Sequence, residues 1–497
     1  MHRRGFLKNA MAAAAASAIP LSSIRAEDGK TSVTVALPLE PPTLDPTMQP
    51  ANAVGQVTLY NIFETLTSMD ENGKLLPLLA ESWENQDSRV YTFKLVKGVT
   101  FHDGSPFTSA DVKFTFERNA SEKSTNKRKR IFVNMASIET PDDYTVRISL
   151  KNPSRLLPAY LAEATGCIVS SKSAETNGTK PVGTGPYAFE NWVRGDSITM
   201  KKFPKHRNAS TARIETATMR FIADANAQLN ALLSGGVDWI PGFQALEAID
   251  RIKKNSAFTV TSGTSTHVLF IAFNNKQAPL NDVRVRRALS HAIDRKQIID
   301  GALYGFGTPV GSQMTPAYAE YTDLTGVYPY DPEKAQKLLA EAGHGSGMKL
   351  SLKVPPSSVY QRSAEIAAAM WAQVGVQVNL ELMEWAQWLD VVFRRKAYDL
   401  AIVSQPEPWT IYNYTDPNYF YQYTNAEFDQ LCQKAEASTT DADFKQNIQA
   451  ALKKLADDAA TCWMSELPMI NVMSAKLHGV RVKAPIAVYE IDKLSFS

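Results

Sequence analysis

The 497-residue chain carries only three cysteines, Cys167, Cys432 and Cys462. Three thiols allow one disulfide at most, so an apolar core rather than a cross-linked framework must hold the fold. Cys167 sits in the apolar run Cys167-Ile168-Val169 and reads as core. Cys432 and Cys462 fall in two predicted neighbouring helices, where a bridge is conceivable and two separate buried thiols are the plainer reading. Histidine is equally sparse, at positions 2, 102, 206, 267, 291, 344 and 478. None pairs with another His or a Cys at metal-ligand spacing, which argues against a built-in metal cage, and no cofactor is expected. A Gly-x-Ser-x-Gly elbow, a His-Glu-x-x-His pair, a P-loop and a dinucleotide fingerprint are all missing. Ser-x-x-Lys occurs twice, Ser124 to Lys127 and Ser346 to Lys349, both times in polar loop-like sequence and without a Lys-Thr-Gly partner. The expectation is a protein without catalysis.

Long apolar runs are lacking too. Beyond the first 26 residues no stretch reaches the eighteen or so apolar residues of a membrane span. Those first residues read as an export signal: Arg3-Arg4-Gly5-Phe6-Leu7-Lys8 in the twin-arginine style, an alanine-rich run over 10–18, Pro20, and a small-residue cleavage point after Ala26. The absence of a cysteine near the cut argues against lipid attachment. The leader holds four of the 53 basic residues and no acid, so the mature chain, with 51 acids, is near −2. Nucleic-acid binding needs a basic stripe. The one dense run, Lys127-Arg128-Lys129-Arg130, reads as a solvated loop or helix end.

What the chain does have is 44% hydrophobic residues and an alternation of strand and helix signals. Its length predicts two or three packed units. Residues 33–37, 91–95 and 144–150 read as strands, the last two by period-two alternation. Asn281 or Asp282 can cap a helix carrying Val285, Ala288, Leu289, Ala292 and Ile293 at helical spacing. Asp331-Pro332 opens another, ending at Gly343. Helix over 363–374, strand over 376–382 and a buried strand over 398–403 follow, then a helix from Asp441 to about Cys462. Such alternation predicts an α/β architecture. The terminal segment 480–497 is expected to add an edge strand to a domain begun much earlier.

The richest candidate for binding is the loop over 407–423, which follows a buried strand and packs aromatic residues beside two carboxylates. Ligands of α/β sheets favour the loops beyond strand carboxyl ends. Glu407, Trp409, Tyr412, Asn413, Tyr414 and Asp416, with Trp385 and Trp388 nearby, are therefore expected to wall a pocket and give it an anionic anchor. The competing reading is that these rings pack on the domain's own core.

A series of motifs in order then carries a resemblance. They are Thr43-Leu44-Asp45-Pro46, Leu78-Leu79-Ala80-Glu81-Ser82-Trp83, Phe101-His102-Asp103-Gly104 with Ser105-Pro106-Phe107-Thr108-Ser109-Ala110-Asp111-Val112, Gly183-Thr184-Gly185-Pro186-Tyr187, Phe273-Asn274-Asn275, and 286–295. The chain resembles extracellular solute-binding protein family 5, the peptide- and nickel-binding group of ABC importers, over nearly all its mature length. The resemblance implies a two-lobed periplasmic binding fold with a hinge and three discontinuous domains. These are a lobe I core of 27–60, 185–262 and 480–497, an inserted domain of 61–184, and lobe II over 263–479. It adds Asn274 to the candidate site. Among the motifs, His102 reads as a turn-stabilising hydrogen bonder, and Gly183-x-Gly185 as backbone needing unusual dihedrals between lobes.

The same resemblance implies a monomer in the periplasm that closes on a small solute and hands it to an inner-membrane permease and ATPase, with no nucleic-acid partner. Peptide-binding relatives use an aspartate before Asp-Pro for the α-amino group; here Asn413 stands before Asp416-Pro417. Dipeptide binders add an arginine where this chain has Val354. These departures count against an ordinary dipeptide, and Glu407 or Asp416 can take the amino-group role. A peptide-like or amino-acid-derived solute is expected, with a nickel chelate, an opine or a sugar-containing solute as alternatives. An exported enzyme or folding helper on the same scaffold is the remaining reading.

Overall fold

A computed structural model describes residues 29–48 and 51–497; the expected leader lies outside them. The fold is built on two large sheets. One has seven strands in the order Phe258–Gly263, Met469–Ser474, Trp239–Pro241, Ser32–Leu37, Thr216–Phe221, Ser197–Lys202 and Tyr187–Val193. The other has six, in the order Thr308–Pro309, Thr461–Glu466, Val268–Phe273, Leu400–Gln405, Met348–Val354 and Val376–Leu382. A four-stranded antiparallel sheet formed by Ala80–Gln86, Val90–Leu95, Thr145–Leu150 and Met135–Asp142 lies in the segment expected as an insertion. No helix among the described residues is long and apolar enough to cross a membrane.

The six-stranded sheet shows how the sequence fixes this arrangement. Val268–Phe273 reads Val-Leu-Phe-Ile-Ala-Phe and is buried at every residue. Side chains alternate between faces. Val268, Phe270 and Ala272 enter one core together with the aromatic residues of 409–423, and Leu269, Ile271 and Phe273 enter another beneath helices Val283–His291, Pro332–Glu341 and Ser358–Gln373. Each of these larger side chains contributes roughly 1.5–3 kcal/mol by leaving water. Asp282 and Asp331 cap their helices by accepting from the backbone N–H of Arg284 and Lys334.

The last long helix stops short of the expected Cys462. It spans Asp441–Asp457, Ala459 turns the chain at φ 45°, and Thr461–Glu466 is a fully buried strand. The run from Ala459 to Met464 is too uniformly apolar to carry a period that separates helix from strand. Cys432 and Cys462 therefore lie on a helix and a strand, in different cores, and all three thiols are free and buried.

Two short crossings join the large sheets, from Gly263 to Val268 and from Glu466 to Met469. They are tied to each other. The Glu466 carboxylate accepts from Ser265 N–H at 2.6 Å, Ser265 Oγ donates to Leu467 O at 2.5 Å, and Leu467 N–H donates to His267 O at 2.9 Å. Past the second crossing, Met469–Ser474 pairs inside the seven-stranded sheet, between Trp239–Pro241 and Phe258–Gly263. The terminal segment also differs from expectation. Only Ser495–Phe496 is strand, paired with Leu477–His478, and the rest of the segment is held by scattered bonds such as Asn61 Nδ2 to Tyr489 O at 2.8 Å and Arg481 Nη2 to Met69 O at 2.9 Å.

Gly183 and Gly185 serve close approach rather than unusual dihedrals: neither has a positive φ. A Cβ on Gly183 would lie 2.0 Å from Ile62 O, and one on Gly185 2.2 Å from Asn61 O. His102 locks the same turn, its Nε2 2.9 Å from Gly185 O and its Nδ1 accepting from Gly183 N–H at 3.3 Å. Burial pushes this imidazole down to about 4, so it stays neutral and keeps both bonds at physiological pH. Replacing Gly185 with alanine forces backbone apart, and a loss of about 1–3 kcal/mol is expected. Thermal unfolding of Gly185→Ala checks it; an unchanged Tm would mean this approach is not tight.

Candidate functional site

A cavity of about 50 Å³ lies where the carboxyl end of strand Leu400–Gln405 meets the other lobe. Its wall on the second lobe is Pro406, Glu407 and Pro408; facing them are Asn52, Lys127, Glu163 and Thr165, with Ile486 and Ala487 closing one side. Asn52 opens helix Asn52–Thr58. Lys127 projects from the turn after helix Ser109–Ala120, and Asn126 fixes that turn by donating to Thr165 O at 3.0 Å and accepting from Arg128 N–H at 2.8 Å.

Two charged contacts cross the cleft. Lys127 Nζ donates to Asn52 Oδ1 at 2.7 Å and to Glu407 Oε1 at 3.2 Å. Beneath it, Arg128 grips Glu163 through Nε and Nη2, both at 2.9 Å, and the same Nη2 donates to Pro408 O at 2.9 Å. Burial would lower the Arg128 guanidinium, but the Glu163 carboxylate outweighs it and holds the cation fast. Glu407 follows the same logic with opposite sign. Burial raises its carboxyl, and Lys127 and Arg128 more than reverse this, so it is held below the usual carboxylate range.

Of the residues expected from sequence, only Glu407 lines this cavity. The aromatic loop belongs mostly to the core of the second lobe. Tyr414 stacks on Tyr421 with centroids 4.1 Å apart and planes at 7°, and its hydroxyl donates to Gln313 Oε1 at 3.1 Å. Trp409 packs on Tyr318 and Phe444, and Tyr412 is buried. Asn413 donates to Tyr419 Oη at 3.2 Å, while Asp416 is exposed and closes a turn by accepting from Asn418 N–H at 2.8 Å. Trp385 and Trp388 stack on each other with centroids 5.2 Å apart, away from the cavity. Asn274 is scaffold: its Nδ2 donates to Lys396 O and Tyr398 O, and its Oδ1 accepts from Gln422. Conversely Lys127 and Arg128, which sequence alone assigns to a solvated run, supply the cleft's cations. Alternating exposure within such a run leaves no periodic signal.

The lobes also meet beside the cavity. Arg155 donates from its N–H to Glu436 O at 3.0 Å and from Nη1 to Ser438 O at 3.3 Å, and it pairs with Asp441. Among the described residues, the buried Glu436 Oε2 and the hydroxyls of Tyr160 and Tyr412 have no hydrogen-bond partner.

This arrangement, two sheets on paired crossings with charged groups from both lobes around a cleft, defines a two-lobed binding protein. The family model described as bacterial extracellular solute-binding proteins, family 5, matches residues 74–430, and the chain belongs to that family. It is 30% identical to heme-binding protein A of Haemophilus influenzae, over 72% of this chain and 73% of that protein. It is 31% identical to the glutathione-binding protein GsiB of Escherichia coli K12, over 69% and 68%. Among solved structures, the binding protein AgaA from A. tumefaciens R10 in complex with agropinic acid superposes with a TM-score of 0.82 at 28% identity, covering 94% of this chain and 99% of that one. These relatives are binding proteins.

The Glu436 carboxyl is pushed up to about 7, chiefly by burial. A pKa above that of the unfolded chain means the stabilisation is intact below pH 4.5 and lost as pH rises through about 7. Glu436→Gln, which cannot ionise, should therefore be more stable than the parent at pH 8 by on the order of 2–3 kcal/mol, a gap that closes toward pH 5. Denaturant unfolding of both proteins at the two pH values measures it; a pH-independent gap would exclude Glu436 as the titrating group.

Proposed function

We propose that this protein is the periplasmic substrate-binding component of an ABC importer. It is exported by the signal over residues 1–26, works as a monomer, closes its two lobes on a small peptide-like or amino-acid-derived solute, and presents the closed form to a membrane permease and ATPase. The observation that carries the reading is the cleft in which Lys127 and Arg128 reach from one lobe to Glu407 and Pro408 on the other. Contacts that exist only when the lobes meet let a solute shift the open–closed population, because its affinity differs between the two states. Family membership supports solute binding, and the diversity of its relatives, named for heme and glutathione or solved with agropinic acid, leaves the choice of solute to the residues of this cleft. Burying a solute between two lobes strengthens each hydrogen bond to it by excluding water. The chemistry asked of the protein is capture and release, with the solute unchanged.

The test is direct. Native mass spectrometry of the freshly purified mature chain, followed by denaturation, should release a co-purified solute intact. Adding that solute to the emptied protein should contract its small-angle scattering envelope. Arg128→Lys keeps the charge but loses the fork that holds Glu163 and Pro408 together. It should weaken solute affinity by about tenfold or more, through the closed state, since 1.4 kcal/mol is a factor of ten. An envelope that never changes with solute, or a solute recovered chemically altered, would overturn the reading.

A further inference from the structure

The lobes meet a second time outside the cavity, and that contact is built differently. The carboxyl end of helix Ala426–Glu436, on the second lobe, abuts the first lobe around Ser88 and Arg155. Arg155 N–H donates to Glu436 O at 3.0 Å, and Ser88 Oγ donates to Ser438 O at 3.0 Å. Tyr91 steadies the first-lobe side, its hydroxyl donating to Ser154 O at 2.8 Å.

Three polar side chains converge on this junction. Among the described residues, Glu436 Oε2 and the hydroxyls of Tyr412, from the same lobe, and Tyr160, from the other, are buried and unpartnered. Buried polar groups are ordinarily paired, so three together call for an account. The titratable and charged groups facing the carboxyl come from both lobes. The first lobe contributes Tyr91 on strand Val90–Leu95, Arg130 on helix Lys129–Val133, and Tyr160. The second contributes Tyr412 and, one turn back on the same helix, Cys432. Arg130 is exposed to water. Arg155 is paired with Asp441, and Arg128, which lies over the Tyr160 ring, is committed to Glu163. Among the described residues no buried cation is therefore free to balance Glu436.

A carboxylate closed into this junction carries an uncompensated charge, which is costly. A carboxylic acid does not. Its O–H can donate to one hydroxyl while its other oxygen accepts from the second. When the lobes part, Tyr160 and Arg155 leave and the carboxyl returns to water, where the ionised form is the stable one.

We propose that Glu436, Tyr160 and Tyr412 form a proton site at the lobe junction, which fills when the lobes close and empties when they part. The inference rests on the lobes closing over a solute and adds the proton as a second ligand of that equilibrium. Burial, which lifts the carboxyl to about 7, belongs to the closed form; the solvated open form returns it toward 4.5. Between those two values closure takes up close to one proton. The closed-to-open ratio then falls about tenfold for each unit of pH gained, and it levels off above about 7. Acidic surroundings favour capture, and alkaline surroundings favour release.

Pulsed electron paramagnetic resonance on the empty mature chain tests this. Spin labels at Lys123→Cys on the first lobe and Gln446→Cys on the second occupy exposed positions, and the three native thiols are buried. The ratio of short to long distances should be about tenfold or more higher at pH 5.5 than at pH 8.5. Glu436→Gln cannot ionise, so its ratio should be the same at both pH values and close to the parent's acidic one. Tyr160→Phe, on the opposite lobe, removes a partner of the protonated form and should shrink the parent's pH response. A closed fraction equal at both pH values in the parent, whether large or undetectable, would overturn the proposal. So would an undiminished pH response in Glu436→Gln or in Tyr160→Phe. Adding glutathione, or the compound that denaturation releases from the purified chain, tests the underlying reading separately. A distance that shortens with either compound but ignores pH removes the proton site alone. One that shortens under no condition removes the closing cleft as well.

Discussion

Everything in this molecule hangs on the chain, over its described residues, passing between its two large sheets twice, at neighbouring points. Two crossings side by side make an axis, and two sheets joined by an axis can swing without either being deformed. The bonds that lash the crossings together, Glu466 to Ser265 N–H, Ser265 to Leu467 O and Leu467 N–H to His267 O, resist shear between them. A hinge of this kind concentrates motion in a few backbone dihedrals and leaves both cores rigid, which close-packed interiors require. Thr266 carries the hinge toward the site, its hydroxyl donating to Pro406 O at 2.7 Å, one residue before Glu407.

Rigidity behind the cleft is what the aromatic loop provides. Tyr414 and Tyr421 stack, and Gln313 and Gln405 tie their hydroxyls to one another and to Trp463, so every polar atom of that stack has a partner within the core. A fully satisfied buried network of this type fixes one arrangement. It anchors the strand end from which Pro406, Glu407 and Pro408 emerge. The rings therefore stiffen the lobe behind the cleft and hold still the strand end that carries Glu407.

The sequence was most informative where physics repeats. Alternating or helical spacing marks the strands and helices of both lobes, and the ordered motifs locate the two-lobed scaffold. It was least informative where a residue's role comes from what meets it across the cleft. Lys127 and Arg128 look like any solvated basic run until residues 163 and 407–408 are brought beside them. Asn274 looks like a ligand contact because its motif is prominent, yet both its amide hydrogens are used on backbone carbonyls. Ring-rich loops suffer the same ambiguity, since stacking on a core and stacking on a solute ask for the same residues. The uniformly apolar stretch ending in Met464 hid a strand for want of a period, and with it the position of Cys462.

These two kinds of information divide the protein's task. The scaffold, legible in pattern, supplies two stiff bodies and an axis. The cleft supplies charge, and its layout separates a buried pair from a more exposed one. Arg128 and Glu163 are buried and satisfy one another, and the third bond of Arg128, to Pro408 O, joins the two lobes. The Lys127–Glu407 contact is the more exposed of the two, a single 3.2 Å bond between side chains 23% and 29% exposed.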